Sequence, residues 1–166
     1  LTHLACVGNQ LLALDVSGAI NLIQLICYDN QLTSLDVSQN TALTELICRN
    51  NPFTTSLDIS ANTALITLSC SSNQLTSLDV SQNTTLTELF CNNNQLTSLD
   101  VSQNTALTGL YCYDNQLTSL DVRNGNNTNL SLFKTTNNPS LFCINVDAVG
   151  MSIQNWSSYI DSQHYF

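Results

Sequence analysis

Apolar and polar positions along the chain follow a unit that repeats about every 21 residues. The consensus reads L-x-x-L-x-C-x-x-N-x-L-T-S-L-D-V-S-x-N-x-x, and successive units start 21, 21, 22, 21, 21 and 23 residues apart. The units begin at Leu1, Leu22, Leu43, Leu65, Leu86, Leu107 and Leu130. In the x-L-x-C-x segment every second residue is apolar, which predicts a short strand with Leu and Cys turned inward and their neighbours facing solvent.

Each unit is too short to bury its apolar side alone, so successive units must stack as rungs. Stacking places the short strands side by side in a parallel sheet, and the second half of each unit returns across the other side as extended or turn segments. Too few residues remain in a unit for a long helix. An Asn recurs at the ninth position of every unit, where its amide can satisfy buried backbone groups at a turn.

The repeats predict a solenoid of about seven rungs over residues 1–142. The pattern breaks afterwards, and residues 143–166 are predicted to form a capping segment, because a stack without a cap exposes its core. We expect a short helix to start near Asp147 and Trp156 to be a core residue of this cap. The first unit shows no polar cap before Leu1, so an additional N-terminal piece is expected as well.

Six cysteines occupy one inward-facing column, one rung apart. They are Cys6, Cys27, Cys48, Cys70, Cys91 and Cys112. Neighbouring strands lie about 4.8 Å apart, which is wider than the Cβ separation of ~3.8 Å that a disulfide prefers. The column therefore predicts a ladder of buried free thiols that act as small apolar side chains, with no metal or redox role. Cys143 lies outside the ladder and has no obvious partner.

The repeated L-x-x-L-x-C-x-x-N-x-L string resembles the bacterial internalin-type cell-surface leucine-rich repeat proteins, in particular their 21-residue subclass in which Cys replaces one core Leu. The resemblance covers residues 1 to about 142. It implies a leucine-rich repeat solenoid that is right-handed, with a curved parallel sheet on its concave face and few or no long helices. It also implies an extracellular protein, secreted or on the bacterial surface, that binds a protein partner.

Three outward positions of the strand segment change from rung to rung, whereas most other positions barely change. These third, fifth and seventh positions should line the concave face, and a face that differs at each rung can match an irregular partner. Aromatic residues and Arg, the typical anchors of protein interfaces, cluster there. The predicted ligand-binding residues are Ile26, Tyr28, Glu45, Ile47, Arg49, Glu88, Phe90, Asn92, Tyr111, Tyr113 and Lys134.

Two other functions fit the same face. Aromatic rings can stack on sugars, so a glycan-binding module of a larger secreted protein is one alternative. A structural spacer is the other, because exposed strand positions favour aromatic and β-branched residues simply to cover a pleated sheet. The sequence indicates no oligomeric state.

An Asp recurs in the return segment of six rungs. The column consists of Asp15, Asp36, Asp58, Asp79, Asp100 and Asp121. Such a row could hold Ca²⁺, but the dense D-x-D-x-D-G spacing of calcium loops is absent. We therefore favour turns in which each Asp accepts hydrogen bonds from backbone N–H groups two or three residues on. The neighbouring Thr-Ser pairs, which could order water on an ice-binding surface, are interpreted as an ordinary solvated face.

The composition of the chain argues against nucleic acid and membranes as partners. Only 9% of residues are charged, against a usual share of about 25%, and the net charge is -9. Arg49, Arg123 and Lys134 are the only basic residues, so the chain lacks the basic stripe that binding to nucleic acid requires. No apolar run approaches the ~20 residues of a membrane span, so membrane insertion is not expected.

The sequence gives little support for an enzyme. His3 and His164 lie near opposite ends of the chain, and neither has a Ser or Cys at the spacing of a nucleophile and its base. Glu45 and Glu88 would lie two rungs apart, roughly 10 Å, on an open face that would not desolvate them. We therefore predict a binding module with no catalytic residues, no metal and no cofactor.

Overall fold

The computed structural model describes residues 1–54, 56–147, 156 and 160–163. Short parallel strands account for most of the regular structure. They are β1 (His3–Ala5), β2 (Gln24–Ile26), β3 (Glu45–Ile47), β4 (Thr67–Ser69), β5 (Glu88–Phe90), β6 (Ser98–Asp100), β7 (Gly109–Tyr111), β8 (Ser119–Asp121), β9 (Leu132–Lys134) and β10 (Ile144–Asn145). A 3₁₀ helix spans Asn127–Asn129. The helix expected after Asp147 falls outside the described residues, apart from Trp156.

One strand from each rung joins a seven-stranded parallel sheet in the order β1-β2-β3-β4-β5-β7-β9. Equivalent positions pair, so Leu25 lies opposite Leu46 and Leu46 lies opposite Leu68. The 22-residue rung keeps this register because its additional residue lies in the return segment, after Phe53. The sheet confirms the predicted solenoid of stacked rungs.

Columns of identical side chains fill the interior. In β2, β3 and β5 the middle residue is buried and its two neighbours are half-buried, as the alternating pattern predicts. A single apolar cluster extends from Val16 to Ile144 and includes Trp156. The first rung is less enclosed, since Leu4 and Cys6 are only partly buried.

The Asn at the ninth position forms a hydrogen-bonded ladder between rungs. Asn94 is typical: its Nδ2 donates to the carbonyl oxygens of Cys91 and Cys70, both at 3.1 Å, and its Oδ1 accepts from the backbone N–H of Leu75 at 3.0 Å. Equivalent bonds to backbone carbonyls are made by Asn30, Asn51, Asn73, Asn115 and Asn138. The Asn amides satisfy buried backbone groups, as predicted, and the structure shows that they also tie each turn to the rung before it.

A second Asn ladder, which the sequence analysis did not assign, supports the return segments. Asn62 Nδ2 donates to the carbonyl oxygens of Val37 at 3.0 Å and Asn40 at 2.9 Å, and Asn83 Nδ2 bonds Ile59 and Asn62 in the same way. These amides are fully buried. The D-V-S-x-N string therefore ends on a residue that crosslinks rungs.

Position eight of every rung adopts the left-handed backbone region. The φ angles are 65° at Gly8, 57° at Asp29, 53° at Asn50, 54° at Ser72, 55° at Asn93, 53° at Asp114 and 59° at Asn137. Gly has no steric penalty there and Asn and Asp tolerate it best among the other residues. This requirement explains why large and β-branched residues are absent from this position.

The return segments are mainly turns, and in the last rungs they form a second sheet. Strands β6, β8 and β10 are parallel, in the order β10-β8-β6. Near this end, Trp156 is buried with its ring centroid 4.3 Å from that of Phe133, and its Nε1 donates to the carbonyl oxygen of Leu130 at 3.0 Å. The division into a solenoid over 1–142 and a cap over 143–166 stays a prediction.

The predicted thiol ladder is present, and all seven cysteines are free. Five ladder thiols are buried, Cys6 is partly buried, and Cys143 is exposed. Burial raises the pKa of Cys27, Cys70 and Cys112 to about 12 in each case. Thiols with such pKa values stay protonated at neutral pH and react slowly.

We expect thiol titration of the folded protein to distinguish these environments. At pH 8 a thiol of pKa near 12 is ionised to roughly one part in ten thousand, so the buried ladder should not react with Ellman's reagent until the protein unfolds. Cys143 should react at once, and Cys143→Ser should remove that fast phase. Rapid reaction of five or more thiols in the folded state would contradict the buried ladder.

Candidate binding face

The variable positions share one side of the seven-stranded sheet, here called the sheet face: positions three, five and seven of each rung. Ten of the eleven predicted binding residues are half-buried there, where side chains of adjacent rungs cover one another. Ring contacts and cation–π contacts connect several of them, most of these across rungs. The strands, through their common register, hold these side chains at fixed spacing.

Three aromatic rings form a contiguous cluster on β5, β7 and the turn after β7. The centroids of Phe90 and Tyr111 are 5.3 Å apart with the planes at 75°, which is an edge-to-face contact. The centroids of Tyr111 and Tyr113 are 6.2 Å apart. Lys134 Nζ lies 4.2 Å from the centroid of the Tyr113 ring. The structure thus joins four predicted residues into one patch, the aromatic patch.

A second patch lies nearer the start of the solenoid. The guanidinium carbon of Arg49 is 4.0 Å from the centroid of the Tyr28 ring on the preceding rung. Ile26 and Ile47 are half-buried and lie opposite each other on β2 and β3. These four residues form the arginine patch.

Small polar side chains separate the two patches. Ser69 and Ser71 of the fourth rung are 9% and 8% exposed, and Asn92 of the fifth rung is 7% exposed. Asn92, unlike the other ten predicted residues, is therefore buried, and its role in binding stays a prediction.

The acidic and basic side chains of the sheet face have different kinds of contact. Glu45 Oε2 accepts a hydrogen bond from Gln24 Nε2 at 2.5 Å. Within the described residues the one ion pair is Arg123 with Asp121, at 2.5 Å, in the return segment. Arg49 and Lys134 lie over tyrosine rings, and neither forms an ion pair with a carboxylate within the described residues. Both cations on this face are held above aromatic rings.

Leu132 and Gly109 also lie on the sheet face and were not among the predicted binding residues. Leu132, at position three of the last rung, is 44% exposed, and Gly109 precedes it in the same column. The ideal position of a Cβ on Gly109 is 3.6 Å from Leu132 Cβ and 3.6 Å from Glu88 Cγ. The column was visible in the sequence, but only the structure shows that the missing side chain leaves Leu132 uncovered.

The Asp column makes the turns that the sequence predicted. Asp36 Oδ1 accepts from the backbone N–H of Ser38 at 2.9 Å, and Asp58 Oδ1 accepts from Ser60 at 3.0 Å. The same bond, to the residue two positions on, recurs at Asp15, Asp79, Asp100 and Asp121. No cluster of three or more His, Cys, Asp or Glu side chains suited to a metal occurs within the described ranges.

These hydrogen bonds lower the pKa of several Asp residues, which makes stability depend on pH. Bonds from the backbone N–H groups of Ser38 and Ser81 lower the pKa of Asp36 and Asp79, and the Ser60 hydroxyl lowers that of Asp58. A carboxyl whose pKa is lower in the folded state stabilises it above the unfolded pKa, about 3.9. This contribution is lost as the pH falls through the folded pKa.

We therefore expect the urea midpoint of the wild type to fall as the pH is lowered from about 5 to below 3. A triple variant with Asp36, Asp58 and Asp79 replaced by Asn keeps the accepting oxygen but cannot titrate, so its midpoint should depend less on pH. Equal pH profiles for the two proteins would show that these carboxyls do not couple to folding.

The described part of the chain holds no helix long and apolar enough to cross a membrane. The Thr-Ser pairs of the return segments are exposed, and Thr118 Oγ1 donates to the carbonyl oxygen of Thr97 at 3.1 Å. These hydroxyls contribute to contacts between rungs, which fits the interpretation of an ordinary solvated face.

No protein-family model and no curated protein matches the chain. Among solved structures, the functional domain of InlJ from Listeria monocytogenes, which includes a cysteine ladder, is 39% identical over 87% of this chain, with a TM-score of 0.57. Internalin C2 from Listeria monocytogenes is 25% identical over 87% of this chain, with a TM-score of 0.66. The chain spans 34% of the InlJ structure and 61% of internalin C2.

A more distant likeness is to the leucine-rich repeat ectodomain of the plant membrane receptor kinase GASSHO1/SCHENGEN3 from Arabidopsis thaliana, solved in complex with CASPARIAN STRIP INTEGRITY FACTOR 2. It is 18% identical over 76% of this chain and 21% of the ectodomain, with a TM-score of 0.50. At this identity the likeness is one of fold alone.

Proposed function

The chain is an internalin-like leucine-rich repeat solenoid with a cysteine ladder, and from this premise we propose that its sheet face binds a protein partner outside the bacterial cell. The observation that carries the proposal is the aromatic patch. Phe90, Tyr111 and Tyr113 are in ring contact on a partly exposed face, whereas most other columns repeat one residue from rung to rung. Aromatic side chains in such a setting are the usual energetic centres of protein interfaces.

The aromatic patch and the arginine patch are also held in place before any partner arrives. Lys134 and Arg49 lie above tyrosine rings, and the rings are braced by adjacent rungs. Side chains that are already ordered lose less conformational entropy on binding, which increases affinity. The parallel sheet beneath the two patches also fixes their positions before binding.

The ring geometry favours a protein over a glycan. A sugar stacks on an open, flat ring face, but Lys134 covers one face of Tyr113 and Arg49 covers one face of Tyr28. Phe90 and Tyr111 meet edge to face and not side by side, so they present no continuous platform. An uneven surface with cations in fixed positions suits the side chains of a protein partner better than the flat rings of a sugar.

We propose an extracellular location, on the cell surface or secreted. The resemblance to internalin-type proteins supports it, and burial of the thiol ladder is compatible with it. Buried thiols with raised pKa values resist oxidation, so a protein rich in cysteine can persist where disulfides would otherwise form. The neighbours by structure are leucine-rich repeat proteins. We propose a binding module without a catalytic site.

The proposal is tested by affinity capture from extracts of the natural host surface and the bacterial surface. The sheet-face variant has Phe90, Tyr111 and Tyr113 replaced by Ala. Its matched control, the return-side variant, has three exposed residues of the return segments, Thr76, Thr97 and Thr118, replaced by Ala. We expect the return-side variant to retain the protein that the wild type captures and the sheet-face variant to lose it. Equal capture by both variants would contradict binding through the sheet face.

A further inference from the structure

We propose that the partner inserts one aliphatic side chain beside Leu132 and places a carboxylate at Lys134, an inference that rests on the proposed function. The carrying observation is a cavity of about 110 Å³ at the last strand of the sheet face. It is lined by Tyr111, Ser131, Leu132, Phe133 and Lys134.

The size of the cavity selects its occupant. Pockets for drug-sized ligands measure roughly 300–1,000 Å³, so this cavity is too small for a sugar chain or a cofactor. A volume of about 110 Å³ suits a single aliphatic side chain. Leu132 and Phe133 supply apolar surface against which such a side chain would pack.

Two departures from the repeat occur at or beside the strand that lines the cavity. Gly109 stands at the third position of the preceding rung, where the Glu88 of the rung before carries a long side chain, so Leu132 is left 44% exposed. Phe133 replaces the Leu of its inward column, and Trp156 packs against it with a centroid distance of 4.3 Å. Phe133, which lines the cavity, is therefore packed against Trp156.

The positive charge of Lys134 beside the cavity indicates that the partner carries a carboxylate next to the aliphatic side chain. Lys134 Nζ lies over the Tyr113 ring and contacts no carboxylate within the described residues. Glu88 lies on the opposite side of Gly109 from Leu132, because β7 pairs with β5 on one side and with β9 on the other. A carboxylate next to the inserted side chain therefore gains an ion pair when it faces Lys134 and meets repulsion when it faces Glu88.

Small probes test this arrangement without knowledge of the partner. N-acetyl-L-leucine carries the isobutyl group and the carboxylate, N-acetyl-L-leucine amide lacks the charge, N-acetylglycine lacks the side chain, and N-acetylglucosamine represents a sugar. NMR titration of the whole chain should show shifts at Tyr111, Leu132 and Lys134 with N-acetyl-L-leucine in the millimolar range. We expect N-acetylglycine to bind at least about tenfold more weakly, and the amide to bind several-fold more weakly.

Two variants localise the probe. Ser131→Phe should fill the cavity and abolish the shifts, whereas the matched Ser34→Phe, at an exposed serine of the return side, should leave them unchanged. Lys134→Gln should make N-acetyl-L-leucine and its amide bind equally. Equal binding of N-acetylglycine, retention of binding by Ser131→Phe, or the same shifts with N-acetylglucosamine would each overturn the inference. Tyr111 belongs both to the cavity and to the capture variant, but the probes report on the cavity alone. If N-acetyl-L-leucine causes no shifts while the capture comparison gives its expected result, this inference is overturned and the proposed function stands.

Discussion

Replacing Asn94 with alanine is expected to lower the free energy of unfolding by about 3–5 kcal/mol. The Asn94 amide donates to the carbonyl oxygens of Cys70, Cys91 and Asn92 and accepts from the backbone N–H of Leu75. Alanine leaves these buried groups without that partner, and each unsatisfied group costs roughly 1–3 kcal/mol. Urea denaturation followed by circular dichroism measures the difference.

The control for this prediction is the adjacent Gln95→Ala. Gln95 is exposed, and its backbone N–H, which bonds the carbonyl oxygen of Leu75, is retained in alanine. The free energy of unfolding of the Gln95→Ala variant should therefore differ from that of the wild type by less than about 0.5 kcal/mol. If both variants unfolded at the same urea concentration, the Asn ladder would not be the element that holds the rungs together.

Replacing Tyr111 with alanine is expected to weaken binding of the captured partner by about 30-fold or more, which corresponds to roughly 2 kcal/mol. Tyr111 is the centre of the aromatic patch, because its ring contacts both Phe90 and Tyr113. Its loss removes apolar contact area and also releases its two neighbours. Titration calorimetry with the purified partner measures the change in Kd.

Stability should respond much less to this substitution. Tyr111 is only half-buried, and an aromatic pair contributes about 0.5–1.5 kcal/mol beyond burial of area. The matched control is Thr97→Ala, an exposed return-side residue that should change neither Kd nor stability by a measurable amount. A Tyr111→Ala variant that unfolds readily but, when folded, binds as tightly as the wild type would assign the patch to stability alone.

The repeat made most of the fold predictable from the sequence. A strand of three residues with one inward Leu has few alternatives once the same string recurs seven times, and stacking then fixes the register. The thiol ladder followed from the same argument, since strand spacing excludes disulfides along the column. The turn role of Asp36 and its equivalents was predictable because the bond is local.

Features that depend on contacts between rungs were harder to predict. The second Asn column was visible as the last constant position of D-V-S-x-N, but its bonds reach backwards to the preceding rung, as Asn62 does to Val37. The placement of Arg49 over Tyr28 and the burial of Asn92 depend on side-chain rotamers and on the size of neighbours. The cavity beside Leu132 depends on how the side chains of β9 pack, which the repeat pattern does not specify.

Oxidative footprinting of the chain with and without its captured partner tests the central claim, that the sheet face is the binding surface. Hydroxyl radicals label exposed aromatic rings, and the chain offers an internal reference in Phe142, which is 53% exposed. Binding through the sheet face predicts that labelling of Tyr28, Tyr111 and Tyr113 falls in the complex while labelling of Phe142 does not change. Protection of Phe142 with unchanged labelling of the three tyrosines would contradict the account.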